Sequence, residues 1–256
     1  MVSQFKPATN NLKLKTLILF MTSPSLSQMM EAGMHFGHQV AKRYPKMAPY
    51  IFGSRKGVNI INLEITQKKL EEACEFVKTL ASQGKTILFV GTKKHAAPAI
   101  EKYAKECDMP FITLRWLGGT VTNFPTVLKA IKRYKMLKEK DEKGELGQYT
   151  KKEQGRIRKE IKKMDFLVGG ISKMEKIPDA LFVVDLKNDK TAFIEASSKK
   201  IPIVAICDTN VNPSKVSYVI PASDDSAASV ELVASLIAEA VKEGKAISPK
   251  KEEKAK

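Results

Sequence analysis

Lysine and arginine side chains crowd the stretch between residues 126 and 165, and the chemistry open to them there is phosphate binding. This stretch contains 14 Lys and Arg residues against 7 Asp and Glu residues. The whole chain carries a formal net charge of +16, so nearly half of the positive excess lies in less than a fifth of the chain. Such clustering favours a polyanionic partner, nucleic acid first and an anionic membrane surface second.

No spacing of side chains in the sequence predicts catalysis. His35 and His38 are three residues apart, but neither GxSxG nor HExxH occurs. The aspartates that follow predicted strands are of a kind that usually forms turns and helix caps. They are Asp185, Asp208, Asp224 and Asp225. We therefore expect a protein that is not an enzyme.

The cysteines and the hydropathy indicate a cytoplasmic protein. The three cysteines are far apart and form no CxxC pair, so we expect buried free thiols in a reducing compartment rather than a zinc knuckle or disulfides. The apolar run at residues 17–20 is too short for the core of a signal peptide. No other run reaches the roughly 20 apolar residues that a membrane span needs.

The segment Gly91-Thr92-Lys93-Lys94 follows a predicted strand and precedes a predicted helix. Ligands bind at the carboxyl ends of strands in an open α/β sheet, and a helix N-terminus accepts phosphate. The segment matches neither GxGxxG nor GxxxxGK[ST], so an RNA phosphate contact is the favoured hypothesis. The alternative is a Rossmann-like nucleotide-binding enzyme or regulator that uses the Gly91 loop. RNA affinity that falls with salt would support the first, and thermal stabilisation by a mononucleotide the second.

A second polar corner lies at Arg115-Trp116, where another predicted strand ends before Gly118-Gly119. Trp116 has two interpretations. It fills the core, or it is partly exposed beside Arg115 and stacks on a sugar or base. The glycine pair permits close approach of the backbone in either case.

Short apolar strands alternate with helices along the chain, which predicts an α/β fold with a mainly parallel sheet and helices on both faces. The predicted strands are residues 58–63, 86–90, 111–114, 180–184, 203–206 and 218–220. The predicted helices are residues 67–82, 95–107, 191–198 and 226–241, with the last one ending at Gly244.

An insertion of about 40 residues interrupts this alternation, since a crossover needs only about a dozen. Apolar residues recur at helical spacing in its two halves, and Thr150 with Glu153 forms a capping box. We expect an antiparallel helical hairpin that stands off the sheet. Its phosphate-binding side chains are predicted to be Lys129, Lys132, Arg133, Lys135, Arg156, Arg158, Lys159, Lys162 and Lys163.

The sequence therefore predicts four parts. Residues 1–20 are a disordered extension, and residues 21–124 with 166–244 form the α/β domain. Residues 125–165 form the inserted hairpin, and residues 245–256 form a charged tail.

Several motifs, in order, resemble one family. They include MMEAGMHFGHQ (29–39), PKMAPYIFGSRKGVNIINLE (45–64), ILFVGTKK (87–94), RWLGGTVTNF (115–124), IPDALFVVD (177–185) and VAICDTNVNP (204–213). Together they resemble the bacterial form of small ribosomal subunit protein two. The resemblance implies a flavodoxin-like domain with a coiled-coil hairpin, and a structural role rather than an enzymatic one. It also implies binding to small-subunit rRNA, late assembly, and contact with neighbouring ribosomal proteins such as the mRNA-capturing OB-fold protein one.

The resemblance assigns roles to residues as well. It implies rRNA contacts at Lys42, Arg43, Lys46, Arg55, Lys56, Lys93, Lys94, Arg115, Trp116 and Asn123, in addition to the hairpin. It also suggests a zinc site formed by His38, Asp208 and Asp224 or Asp225, a set of ligands that zinc accepts. The chain departs from the family pattern at residues 222–228, which read ASDDSAA and lack the arginine expected at Ala228.

Overall fold

A computed structural model describes residues 24–247 of the 256-residue chain. The extension predicted at residues 1–20 and the tail beyond Ile247 lie outside the described residues. The helices are α1 (Leu26–Glu31), α2 (Leu63–Ser82), α3 (Ala97–Glu106), α4 (Phe124–Glu142), α5 (Lys151–Val168), α6 (Lys190–Ser198) and α7 (Ala227–Ile247). The strands are β1 (Phe36–Gln39), β2 (Ile51–Arg55), β3 (Val58–Ile61), β4 (Ile87–Val90), β5 (Phe111–Ile112), β6 (Ala180–Val183), β7 (Ile203–Cys207) and β8 (Tyr218–Pro221).

The main sheet has five parallel strands in the order β5-β4-β6-β7-β8. Every residue of β4, β6 and β7 is buried, which is why these strands are continuous apolar runs and do not alternate with polar residues. Helices cover both faces. The protein therefore has a flavodoxin-like α/β fold, and the predicted fold class is confirmed.

Two apolar clusters lie on opposite faces of this sheet, because successive side chains of a strand point to opposite sides. On β4, Ile87 and Phe89 belong to the first cluster, with residues of α2, α3 and α7. Leu88 and Val90 belong to the second, with residues of α4, α5 and α6. The three cysteines are buried and free, as predicted.

The predicted strand segment at residues 58–63 (VNIINL) does not join the main parallel sheet, which corrects the prediction that it would. Its strand, β3, pairs antiparallel with β1 on one side and β2 on the other, in a separate sheet of three strands. The sequence showed a strand there but carried no information about its partners. β1 and β2 are short and rich in polar residues and glycine, so periodicity alone did not predict them.

α4 and α5 lie between β5 and β6 and contact each other; we call them the arm. Arg133 pairs with Glu160, and further along α4 Asp141 pairs with Arg158, so the two helices run in opposite directions. The predicted capping box of Thr150 and Glu153 is confirmed. The description of the arm as an inserted coiled-coil hairpin stays a prediction.

The base of the arm is part of the core, which corrects the expectation that the hairpin stands off the sheet. Val127, Ile131 and Tyr134 on α4 are buried, and they belong to the same cluster as Leu88 and Val90 of β4. The apolar face of α4 therefore packs into the cluster on one face of the main sheet as well as against α5. Beyond this base, most side chains of the arm are exposed.

Candidate nucleic-acid interface

The arm presents its basic side chains to solvent. Inward positions of α4 recur every three or four residues, at Val127, Ile131 and Tyr134, so the cations between them point outward. All nine basic residues predicted for this surface are exposed. They are Lys129, Lys132, Arg133, Lys135, Arg156, Arg158, Lys159, Lys162 and Lys163.

Two of these nine cations are paired with carboxylates of the facing helix. Arg133 Nη2 lies 2.7 Å from Glu160 Oε1, and Arg158 Nε donates to Asp141 Oδ1 at 3.2 Å. Exposed pairs of this kind contribute roughly 0–1 kcal/mol. Among residues 24–247, no carboxylate forms an ion pair with the other seven cations. Those seven are available to a polyanion without breaking an existing pair.

The structure decides between the two interpretations of Trp116. Trp116 is only 8% exposed, and its indole Nε1 donates to Glu195 Oε1 at 3.0 Å. The ring therefore fills the core instead of stacking on a base. Arg115 beside it is exposed. Asn123 is exposed at the N-cap position of α4, but its side chain caps no backbone N–H there and instead accepts from the Thr126 hydroxyl.

Glu195 holds the loop after Trp116 in place through its carboxylate. Its carboxylate also accepts from the backbone N–H groups of Gly119 at 2.8 Å, and of Val121 and Thr122 at 3.1 Å. Burial alone would raise the pKa of Glu195, but the hydrogen bonds from Trp116 and these backbone groups outweigh it and lower the pKa. The ionised carboxylate thus fixes the loop from which the arm begins.

Sequence reasoning missed Glu195, although a signal was present. The side chains of Ala192 and Ala196, three residues before it and one after it, are buried on α6. Glu195 therefore lies on the inward face of a helix, where an acid is rarely placed without a partner. The position of that partner, almost 80 residues away at Trp116, could not be read from spacing.

Polar groups of the Gly91 loop are already hydrogen-bonded to other residues of the protein. The Thr92 hydroxyl donates to Asp189 Oδ1 at 2.7 Å, and the Thr92 backbone N–H donates to Asp189 Oδ2 at 3.3 Å. A Cβ on Gly91 would lie 2.9 Å from Ile100 Cγ1, so packing of the strand against α3 explains this glycine. A donor that a phosphate would need is already taken by a carboxylate.

Lys93 points into a group of aspartates instead of into solvent. Its Nζ lies 3.0 Å from Asp185 Oδ2, 3.0 Å from Asp224 Oδ1 and 2.9 Å from Asp225 Oδ1. Burial alone would lower the pKa of Lys93, but the three carboxylates outweigh it and raise the pKa. The predicted phosphate contact at Lys93 would have to break these pairs, whereas Lys94 is exposed.

The residues that the family resemblance suggested for zinc do come together. The ligand atoms of His38, Asp208, Asp224 and Asp225 all lie within 4.8 Å of one another. His38 Nδ1 is 2.9 Å from Asp208 Oδ2, and His38 Nε2 is 3.5 Å from Asp225 Oδ2. β1 supplies the histidine, and the loops after β7 and β8 supply the acids.

The chemistry of this group fits a divalent cation. Burial, and then the neighbouring charge of Asp185, raise the pKa of Asp224 to about 6. Three of the buried ligand atoms have charged neighbours but form no hydrogen bond of normal geometry within residues 24–247: His38 Nδ1, Asp208 Oδ2 and Asp224 Oδ1. A bound zinc ion would supply a structural link between β1 and the two loops. His38, Asp208 and Asp224 would hold it, while Lys93 would keep its ion pairs with Asp185 and Asp225.

The remaining predicted contacts lie on two exposed loops. Lys42, Arg43 and Lys46 lie in the segment between β1 and β2, which contains two short 3₁₀-helices, and all three are exposed. This segment is anchored near the end of β7, since the Tyr44 backbone N–H donates to the Thr209 carbonyl at 2.8 Å. Arg55 and Lys56 are exposed at the turn between β2 and β3.

The fold and this surface together define a flavodoxin-like α/β protein with two exposed basic helices between β5 and β6. A model of the family described as ribosomal protein S2 matches residues 29–244. This range covers far more than half of the chain, and the chain therefore belongs to the ribosomal protein S2 family.

Membership makes the chain a small-subunit ribosomal protein, a structural constituent of the ribosome that acts in translation. The resemblance inferred from the sequence motifs is thereby confirmed. Within residues 24–247, none of the helices has the length and apolar character needed to cross a membrane.

Proposed function

We propose that the protein binds small-subunit rRNA through the exposed basic side chains of the arm and of the loops near β1 and β2, and that it performs no chemical step. The observation that carries this proposal is the seven exposed arm cations that pair with no carboxylate of residues 24–247. Phosphate contacts of this kind position a protein on RNA and carry little sequence information. Fixing the arrangement of rRNA segments is the work that such a surface can do.

The alternative of a nucleotide-binding enzyme or regulator loses support from the Gly91 loop. Its backbone donor at Thr92 is bound to Asp189, and Lys93 is held by aspartates. A nucleotide phosphate would have to displace both. No observation on the described residues favours this second function.

Three finer roles follow from the family resemblance and remain part of the proposal. They are joining the small subunit late in its assembly, contacting neighbouring ribosomal proteins, and helping to dock the mRNA-capturing OB-fold protein one. Co-sedimentation of the purified protein with assembling small subunits tests the first, and cross-linking within finished subunits tests the other two.

The arm is tested by the triple charge reversal K132E/R133E/K135E. All three side chains are exposed, and only Arg133 forms an ion pair, so the melting temperature should stay close to that of the wild type. Affinity for small subunits depleted of this protein should fall. The slope of log affinity against log salt should decrease by about 1 for each phosphate that the variant no longer neutralises.

The matched control is K187E/K190E/K199E, which makes the same change of charge at exposed residues on or beside α6. It should bind like the wild type. Equal losses of affinity in the two variants would show that net charge, not the arm, drives binding. Unfolding of the arm variant would show that these three side chains belong to the core.

A further inference from the structure

A large cleft lies between the main sheet and the arm, along the edge strand β5. It has a volume of about 1200 Å³, more than the roughly 300–1,000 Å³ of a site for a drug-sized ligand. The end of α3 and Lys245 of α7 form one wall, and Tyr134, Lys138 and Phe166 of the arm form the other. None of the predicted contacts with RNA on the loops lines it. A short segment of polymer would fit.

Lysines dominate the charge of this cleft. Seven lysines line it against three acids. The acids are already engaged: Glu101 with Lys105, Asp108 with Lys173, and Asp165 with the Tyr134 hydroxyl. The seven lysines are Lys85, Lys105, Lys138, Lys162, Lys173, Lys176 and Lys245.

Four of these lysines pair with no carboxylate of residues 24–247, and one of them, Lys245, instead donates to the backbone carbonyls of Cys107 and Asp108. Within residues 24–247, no ion pair forms at Lys85, Lys138 or Lys162. Lys85 lies on the sheet side of the cleft, and the other two lie on the arm. Uncompensated positive charge on both walls of a concave surface concentrates its field inside the cleft. The occupant that this charge complements is a polyanion.

Two large apolar side chains are exposed among these lysines. Phe166 is 53% exposed and Leu114 is 51% exposed, and both line the cleft. An exposed aromatic ring beside lysines is the arrangement that binds single-stranded nucleic acid, with bases stacked on rings and phosphates held by cations. Unpaired bases of RNA are splayed out and recognised in this way.

A protein strand is a poorer occupant. Addition of a peptide strand needs a row of free backbone groups on the sheet edge, but β5 has only two residues. The backbone at Gly170 packs so closely on this edge that an added Cβ would lie 2.3 Å from the Phe111 carbonyl oxygen. The edge is therefore covered where an added strand would have to pair.

We propose that this cleft holds a single-stranded segment of rRNA, with its phosphates on Lys85, Lys138 and Lys162 and a base against Phe166. The inference rests on the proposed function, because it assigns a second, concave RNA site to a protein whose arm already binds rRNA. The arm surface fixes the protein on the RNA backbone. The cleft selects a strand with unpaired bases.

Photo-cross-linking tests the occupant directly. The photoreactive amino acid benzoylphenylalanine is placed at Phe166 in the full chain, and at Ile194 on α6 as a control with nearly the same exposed fraction, 52%. Both proteins are bound to small subunits depleted of this protein and are irradiated. We expect rRNA adducts from the cleft position and none from Ile194. Adducts to another protein, or no adduct in subunits that carry the chain, would overturn the proposal.

Charge reversal in the cleft gives an independent readout. The variant K85E/K138E changes both walls and leaves the arm residues of the first test intact. It should bind depleted subunits roughly tenfold more weakly than the matched control K187E/K199E, with a smaller salt slope. Wild-type affinity of K85E/K138E would overturn the cleft site alone. Failure of the wild-type chain to bind depleted subunits would overturn the proposed function instead.

Discussion

At the scale of single residues, the carboxylate of Glu195 gives the clearest prediction. Glu195→Gln keeps one of the two oxygens that together accept five hydrogen bonds and replaces the other by an NH2 group, so the donors to one oxygen lose their acceptor. The free energy of unfolding should fall by about 2–4 kcal/mol at neutral pH. Urea denaturation measures it. The control Glu231→Gln affects two exposed contacts, the ion pair with Lys102 and a hydrogen bond from the Tyr103 hydroxyl, and should cost less than about 1 kcal/mol.

The same substitution carries a pH dependence with a definite sign. The folded-state pKa of Glu195 lies below its ordinary value of 4.5, so its stabilisation is fully present above that value and is lost as the pH falls through the folded pKa. The difference in stability between wild type and Glu195→Gln should therefore shrink below about pH 4.5. A difference that stays constant in acid would contradict an ionised Glu195.

At the scale of elements, the sequence predicted the buried strands and most helices, because long apolar runs and capping residues act locally. The capping box at Thr150 formed as expected. Pairing of β3 in a second sheet was not predictable, because no local pattern says which strand lies beside it. The contact between Glu195 and Trp116 could not be predicted for the same reason, since it depends on packing between distant segments.

Gly244 shows how packing can reverse a local signal. The sequence places a helix end there, but α7 continues to Ile247. A Cβ at this position would lie 2.4 Å from the Lys78 carbonyl oxygen and 2.7 Å from the Ala81 Cβ. Close approach of α7 to α2 requires the glycine.

A pair of glycine substitutions tests this interpretation of α7. In an open helix position, Gly→Ala stabilises by about 1 kcal/mol, and Gly155 in α5 has no atom within 4 Å of its added Cβ. We expect Gly155→Ala to raise the melting temperature by a few degrees. Gly244→Ala should lower it by more, since overpacking typically costs about 1–3 kcal/mol. Equal shifts in thermal denaturation would mean that α7 and α2 are not in close contact.

At the scale of the whole molecule, the arm joins two properties that the sequence pattern assigns to separate parts. Its base completes the apolar cluster on one face of the sheet, and its outer part carries exposed cations. The core then fixes the position of the proposed RNA-binding surface, because the helices that carry the cations cannot tilt without disturbing Ile131 and Tyr134. Burial, first, and then the hydrogen bond to Asp165 raise the pKa of Tyr134 to about 12, so this link between α4 and α5 keeps its proton at physiological pH.

Two deletions separate these properties. Replacing residues 139–159 by a short Gly-Ser turn removes Arg156, Arg158 and Lys159 but leaves the buried base, so the fold should survive while affinity for rRNA falls. Excising residues 125–167 also removes Val127, Ile131 and Tyr134, whose burial contributes about 1.5–3 kcal/mol each. That sum is comparable to the roughly 5–15 kcal/mol stability of a whole domain, so the second variant should be unfolded by circular dichroism. A folded second variant would show that the base of the arm packs on the sheet without supporting it, and the positional argument would fail.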